Sequence, residues 1–285
     1  MDSFSKKGRG TRNKGLKLAG WLSLILVIFF GLFAAFWSFQ SEKSYKESLR
    51  SDYKYEVSFR SSSKLQNASF YLPIPVFENE SKKLLLSAED FYGQPPDWNF
   101  SFEETKHGPM LKLEAKNIQS VFHSLPKPLS ENEELEKKEV SKPDSETFKE
   151  AYEYSEETPV SLPFNFGARL KVEPLLNTQN PKGKEALLSP EYGLKLSDND
   201  QIVSHSKEIN PQFYDYESRI YAKYETSAET LVEIDVSFRG SNSWWTFGWA
   251  GNEYKDRVFV KLRGAQEGWI PVEGSLITAD GNYRD

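Results

Sequence analysis

The sequence predicts an all-β, antiparallel β-sandwich-like ectodomain behind one N-terminal transmembrane helix. Three observations carry that prediction: one long uncharged apolar run near the start, period-two alternation through most of the remainder, and no helical pattern of comparable strength outside the run.

The run is Leu18 to Phe39, 22 residues without a charge. At about 1.5 Å per residue it reaches roughly 33 Å, enough for a hydrocarbon core of about 30 Å. Trp21 lies near one end and Phe36, Trp37 and Phe39 near the other, as expected for rings resting at the two interfaces. The preceding segment, residues 1–17, holds six basic residues and one acidic residue, a net of +5, whereas everything after it carries a net of −11. The short basic flank is therefore expected to remain in the cytoplasm, giving a single-pass cell-membrane protein with an extracytoplasmic C-terminal domain. A cleaved signal peptide needs a shorter apolar region and small residues three and one before the cut. Ala34 and Ala35 are adjacent instead, and bulky Phe36-Trp37-Ser38-Phe39 follows, so residues 18–39 are read as an uncleaved signal anchor.

Residues 40–52 are polar and free of Gly and Pro, and are read as a helical juxtamembrane stalk. From residue 53 the period changes to two. In Tyr53–Arg60 the residues Tyr53, Tyr55, Val57 and Phe59 alternate with Lys54, Glu56, Ser58 and Arg60. Similar runs at 66–72, 98–103 and 110–116 complete a β-rich segment over 53–123, and Pro73 and Pro75 limit the second of them. Residues 124–160 are dense in Glu, Lys, Ser and Pro and are read as a charged linker or insertion, with a short helix expected near 145–154. A second β-rich segment occupies 161–285. It begins with strands at 168–173 and 192–197 and ends in a meander with strands expected at 216–225, 230–239, 244–249, 257–262 and 269–278. In the second meander strand Val232, Ile234, Val236 and Phe238 share one face. Whether the two segments form one domain or two is left open by the alternation.

The catalytic inventory is small. There is no cysteine, which excludes disulfides, thiol nucleophiles, Cys-ligated metals and lipidated thiols. The three histidines, His107, His123 and His205, have no partner at ligand spacing, and no metalloprotease, nucleophile-elbow, P-loop or dinucleotide motif occurs. Asp198-Asn199-Asp200 opens like a calcium loop, but positions six and twelve from Asp198 are Val203 and Ile209 where Gly and Glu are required. No catalytic residue, cofactor or metal is assigned, and the basic tail serves orientation and requires no nucleic acid.

The segment that invites a binding role is Gly240 to Asn252, in which Trp244, Trp245, Phe247 and Trp249 fall within six residues. Read as a strand of its own, it places Trp245, Phe247 and Trp249 on one core-facing side and leaves Trp244 exposed. Trp244, with Tyr254 and Trp269, is the expected ligand or partner surface. Sequons at Asn67, Asn79 and Asn99 are candidate glycosylation sites on the side placed outside.

Two stretches, Ser69 to Ser81 (SFYLPIPVFENES) and Gly240 to Val258 (GSNSWWTFGWAGNEYKDRV), together with the basic tail and anchor, resemble uncharacterised single-span surface proteins of methanogenic archaea. The resemblance implies topology and source and contributes no activity. The expected function is a non-enzymatic binding or structural role at the cell surface, with a surface protein or envelope polymer as partner. The alternatives are carbohydrate recognition through residues 244–249 and, third, a hydrolase using spatially paired carboxylates.

Overall fold

The computed structural model describes residues 10–77, 83–119, 121–127, 153–173, 175–197 and 211–283. Asn79, Asp198, Asp200, His205 and residues 145–152 of the helix expected near 145–154 lie outside the described residues, and residues 153 and 154 of it are strand instead. The chain divides into two compact units: Met1–Arg50 with Ser243–Gly251, and Ser51–Asn242 with Asn252–Asp285.

The first unit is built on α1, Gly10–Ser48, whose 39 residues extend about 58 Å. Among the described residues this is the one helix long and apolar enough to cross a membrane, and its large apolar side chains from Trp21 to Phe39 are exposed. Past the apolar run the helix is held by i,i+4 pairs, Glu42 with Lys46 and Lys43 with Glu47. It ends where the Ser48 hydroxyl turns back to donate to the Ser44 carbonyl at 2.6 Å. The polar stretch after the span is thus helical only to Ser48, and a strand starts two residues later.

The strands are β1 (Arg50–Ser61), β2 (Leu65–Leu72), β3 (Ile74–Phe77), β4 (Lys83–Leu84), β5 (Phe91–Tyr92), β6 (Trp98–Thr105), β7 (Gly108–Ile118), β8 (Val121–Lys127), β9 (Glu153–Leu162), β10 (Phe164–Val172), β11 (Leu187–Ser189), β12 (Tyr192–Leu196), β13 (Gln212–Glu225), β14 (Leu231–Trp245), β15 (Trp249–Arg263) and β16 (Gln266–Gly281). Eleven of them form one antiparallel sheet in the order β5-β10-β1-β14-β15-β16-β13-β2-β7-β6, with β12 added beside β13. Strands from both β-rich stretches of the sequence are interleaved in it. Pro73 stops β2, and β3 leaves for a small sheet, β11-β3-β4, as proline's missing N–H requires. The two ends of the charged segment pair with each other as β8 and β9.

The long sheet curls until its two ends meet through side chains, which makes it sandwich-like. Trp98 of β6, at one end of the order, packs against Phe164 and Phe166 of β10 near the other, with centroids 5.1 and 6.1 Å apart. Phe59 of β1 reaches across to Phe70 of β2 and to Trp98 at 5.2 and 5.6 Å. Tyr53, Tyr55, Val57 and Phe59 all face this core, as alternation predicts, and so do Val232, Ile234, Val236 and Phe238. Mostly edge-on or tilted ring pairs of this kind each add about 0.5–1.5 kcal/mol beyond the area they bury.

The meander differs from expectation in one respect. Residues 230–239 and 244–249 are not two strands: β14 runs unbroken from Leu231 to Trp245 and the chain turns immediately after. The inward parity set by Val232 therefore continues through Gly240 and Asn242 to Trp244. Trp244 is 4% exposed, whereas Trp245, Phe247 and Trp249 are 41%, 50% and 60% exposed. The expected faces are reversed, because one uninterrupted pleat replaces an assumed restart.

Candidate functional site

A groove of about 830 Å³ lies on the face of the sheet opposite the core, in the second unit. Register builds it. Trp269 of β16 stands opposite Tyr221 of β13, Tyr221 opposite Tyr71 of β2, and Tyr71 opposite Lys112 of β7. Directly opposed residues share a face, and their chain neighbours Ala222, Phe70 and Leu113 are buried, so this row points outward. The rings touch in sequence, at 5.5 Å for Tyr221 with Trp269 and 5.5 Å for Tyr71 with Tyr221. One row along, Lys223 faces Glu267 and Ser69, Ser69 faces Glu114, and Glu114 faces Asn99. An aromatic row therefore runs beside a row of charges and amides.

Polar contacts hold the rings in place. The Tyr71 hydroxyl donates to Glu103 at 2.9 Å, and Lys112 Nζ lies 3.0 Å from Glu103 and 3.1 Å from Glu114. The Lys112 ammonium, then the Tyr71 hydroxyl, hold the Glu103 carboxyl below the usual range. The β6–β7 turn curls over the end of the row. It sets the Lys106 ammonium 5.5 Å from the Trp269 ring centre and the His107 ring edge-on to Trp269 at 4.5 Å. His107 Nδ1 meets the Tyr192 hydroxyl at 2.9 Å. Burial, with Lys106 and Arg219 nearby, lowers the His107 pKa and keeps the imidazole neutral at neutral pH.

Of the residues singled out from the sequence, Trp269 lines this groove, and so do the sequon asparagines Asn67 and Asn99, both exposed. Asn67 sits at φ +50°, an uncommon conformation that Asn tolerates, and points Nδ2 at Glu225, 3.4 Å away. Tyr254 does not belong to a surface: it is fully buried on the inward parity of β15 and donates its hydroxyl to the Ala186 carbonyl at 2.7 Å. Tyr71, Tyr221 and Lys106 complete the groove unannounced. Alternation could have placed Tyr71 and Tyr221 outward, but the pairing of β2 with β13 joins segments about 150 residues apart, and no local pattern encodes it.

The carboxylate with the most perturbed environment is elsewhere. Asp256 is fully buried, and burial pushes its pKa up from 3.8 to about 7. It accepts the Tyr216 hydroxyl at 2.6 Å and the Leu188 N–H at 2.8 Å. It does not line the groove. Among the described residues no group of three or more His, Asp or Glu is arranged to hold a metal ion.

In the first unit, the β14–β15 turn forms an aromatic tip. Thr246 N–H donates to the Gly248 carbonyl at 3.0 Å, and Phe247 adopts φ +62°, a strained conformation for a bulky residue. The tip rests on α1 at three levels. Trp244 packs edge-on against Tyr45 at 5.7 Å, the Trp245 N–H donates to Ser48 Oγ at 2.7 Å, and the Phe247 ring stacks on Trp37 at 4.1 Å.

No protein-family model matches this chain, no curated protein matches it, and no solved structure matches it.

Proposed function

We propose that this chain is a single-pass membrane protein whose β-domain, held outside the cell, binds an envelope polymer rich in hydroxyl groups. The observation that carries the reading is the register-built row Trp269–Tyr221–Tyr71 beside Asn67, Asn99 and Glu114. Rings offer apolar faces to sugar C–H groups, and amides and carboxylates accept or donate to the hydroxyls. The basic tail and apolar helix support the anchor and the orientation. The resemblance carried by Ser69–Ser81 and Gly240–Val258 favours the same setting.

A binding role is favoured over hydrolysis by the state of the carboxylates. A glycosidase acid needs a raised pKa in contact with substrate. In the groove Glu103 is shifted the opposite way, and the raised carboxyl, Asp256, is sealed beneath Tyr216 and Leu188. The expected surface at Trp244 is replaced by the one at Trp269.

The test is binding of the full chain, in lipid nanodiscs, to an array of defined oligosaccharides, beside Trp269→Ala. Retention of a related subset of glycans, weakened tenfold or more by the substitution, is expected. No retention, or retention indifferent to Trp269→Ala in a folded protein, contradicts the proposal.

A further inference from the structure

We infer that the β14–β15 tip is a second membrane contact, in which Trp245, Phe247 and Trp249 seat in the headgroup–acyl boundary of the leaflet that α1 leaves. The inference rests on the reading of α1 as a membrane span.

Depth along the helix carries it. Trp37 belongs to the uncharged run that ends at Phe39, and the first charge after it is Glu42. Trp37 is five residues before that charge, about 7.5 Å along the axis. A ring stacked face to face on Trp37, at 4.1 Å with planes 11° apart, must share its depth, so Phe247 lies at the level of the span's end. The contacts at Tyr45 and Ser48 lie 8 and 11 residues further on, about 12 and 16 Å above. The hairpin thus descends along α1 toward the apolar run and turns over where that run ends.

Composition and exposure agree with that placement. Three large rings within five residues remain about half exposed, outside the core cluster that takes up rings such as Tyr55, Phe59, Phe70 and Phe238. No Asp, Glu, Lys or Arg occurs between Gly240 and Asn252. Trp is the residue most at home at an interface, where its ring is apolar and its N–H stays hydrated. The Arg50 guanidinium lies 5.6 Å from the Trp249 ring centre. Phe247 adopts φ +62° in the turn, and its ring lies on Trp37 within the apolar run.

The absence of cysteine makes the test direct. The full chain is reconstituted in phosphatidylcholine–phosphatidylglycerol vesicles with one nitroxide-labelled cysteine at a time. Thr246→Cys and Gly248→Cys report the tip, and a Cβ at Gly248 meets nothing within 4 Å. Leu24→Cys reports the span and exposed Ala265→Cys, in the β15–β16 turn, reports the aqueous domain. Collisions with oxygen should exceed collisions with a polar nickel reagent at 24, 246 and 248, with the reverse at 265. Labels at 246 and 248 that behave like 265 while 24 is immersed overturn the tip contact and leave the anchor standing. A label at 24 that is itself aqueous removes the anchor, and the tip contact with it.

Discussion

The Tyr216 hydroxyl donates to the fully buried Asp256 carboxyl over 2.6 Å, tying β13 to β15 over the intervening β16. The opposing position on β16 is Gly274, where any Cβ would collide with the Tyr216 ring. Leu188 N–H supplies the second donor and brings β11 to the same point.

Because burial raises the Asp256 pKa from 3.8 to about 7, the folded state binds the extra proton between those values. Stability contributed by this group is fully present below the unfolded pKa and is progressively lost as pH rises from about 4 to about 7, by up to about 4 kcal/mol. Asp256→Asn removes this dependence and leaves one acceptor fewer for the Tyr216 hydroxyl and the Leu188 N–H, costing about 1–3 kcal/mol. Thermal melts at pH 4.5 and 7.5 should show the wild-type advantage over Asp256→Asn shrinking at the higher pH. An advantage that grows with pH contradicts the assignment.

Trp98 closes the curled sheet by filling the space between β6 and β10. Trp98→Ala should cost about 3–5 kcal/mol, read as a lower midpoint in chemical denaturation. An unchanged midpoint means that the two ends of the sheet do not depend on each other.

Asn242 is a buried polar residue with every side-chain valence in use. Oδ1 accepts from the Ser51 hydroxyl and Leu176 N–H, and Nδ2 donates to the Leu176 carbonyl and Asn252 Oδ1. Asn242→Leu strands these partners in the core and should destabilise by more than about 2 kcal/mol, although it adds apolar volume on an inward face. Hydrogen exchange at the Leu176 amide should accelerate in the same variant, and no acceleration would count against the network.

Tyr71 holds its position through Glu103, and Lys112 holds Glu103. Lys112→Met should therefore loosen the aromatic row and weaken glycan retention severalfold without lowering the melting temperature by more than a few degrees. Equal retention by the variant would show that the row needs no such support.

Strand periodicity made the inward sets of β1 and β14 legible, along with the apolar helix and the break at Pro73. Each is a local pattern imposed by burial on one face. Trp244 shows where that method failed: the parity established at Val232 had to be carried past Gly240, a residue that looks like a turn. Gly240 is instead mid-strand, leaving room for the Tyr254 ring. The groove was hardly legible at all. Trp269 stood out by its chemistry, but its companions are assembled by pairings between distant strands, and no chain-local signal specifies those.

Sidedness decides whether the groove meets the envelope, and the cysteine-free chain allows it to be read directly. Ala265→Cys and Ser5→Cys variants of the full-length protein would be treated on intact cells with a membrane-impermeant maleimide. Labelling at residue 265 on intact cells, and at residue 5 only after permeabilisation, is the predicted result. Labelling at residue 265 only after permeabilisation would place the β-domain inside and contradict an extracytoplasmic binding role.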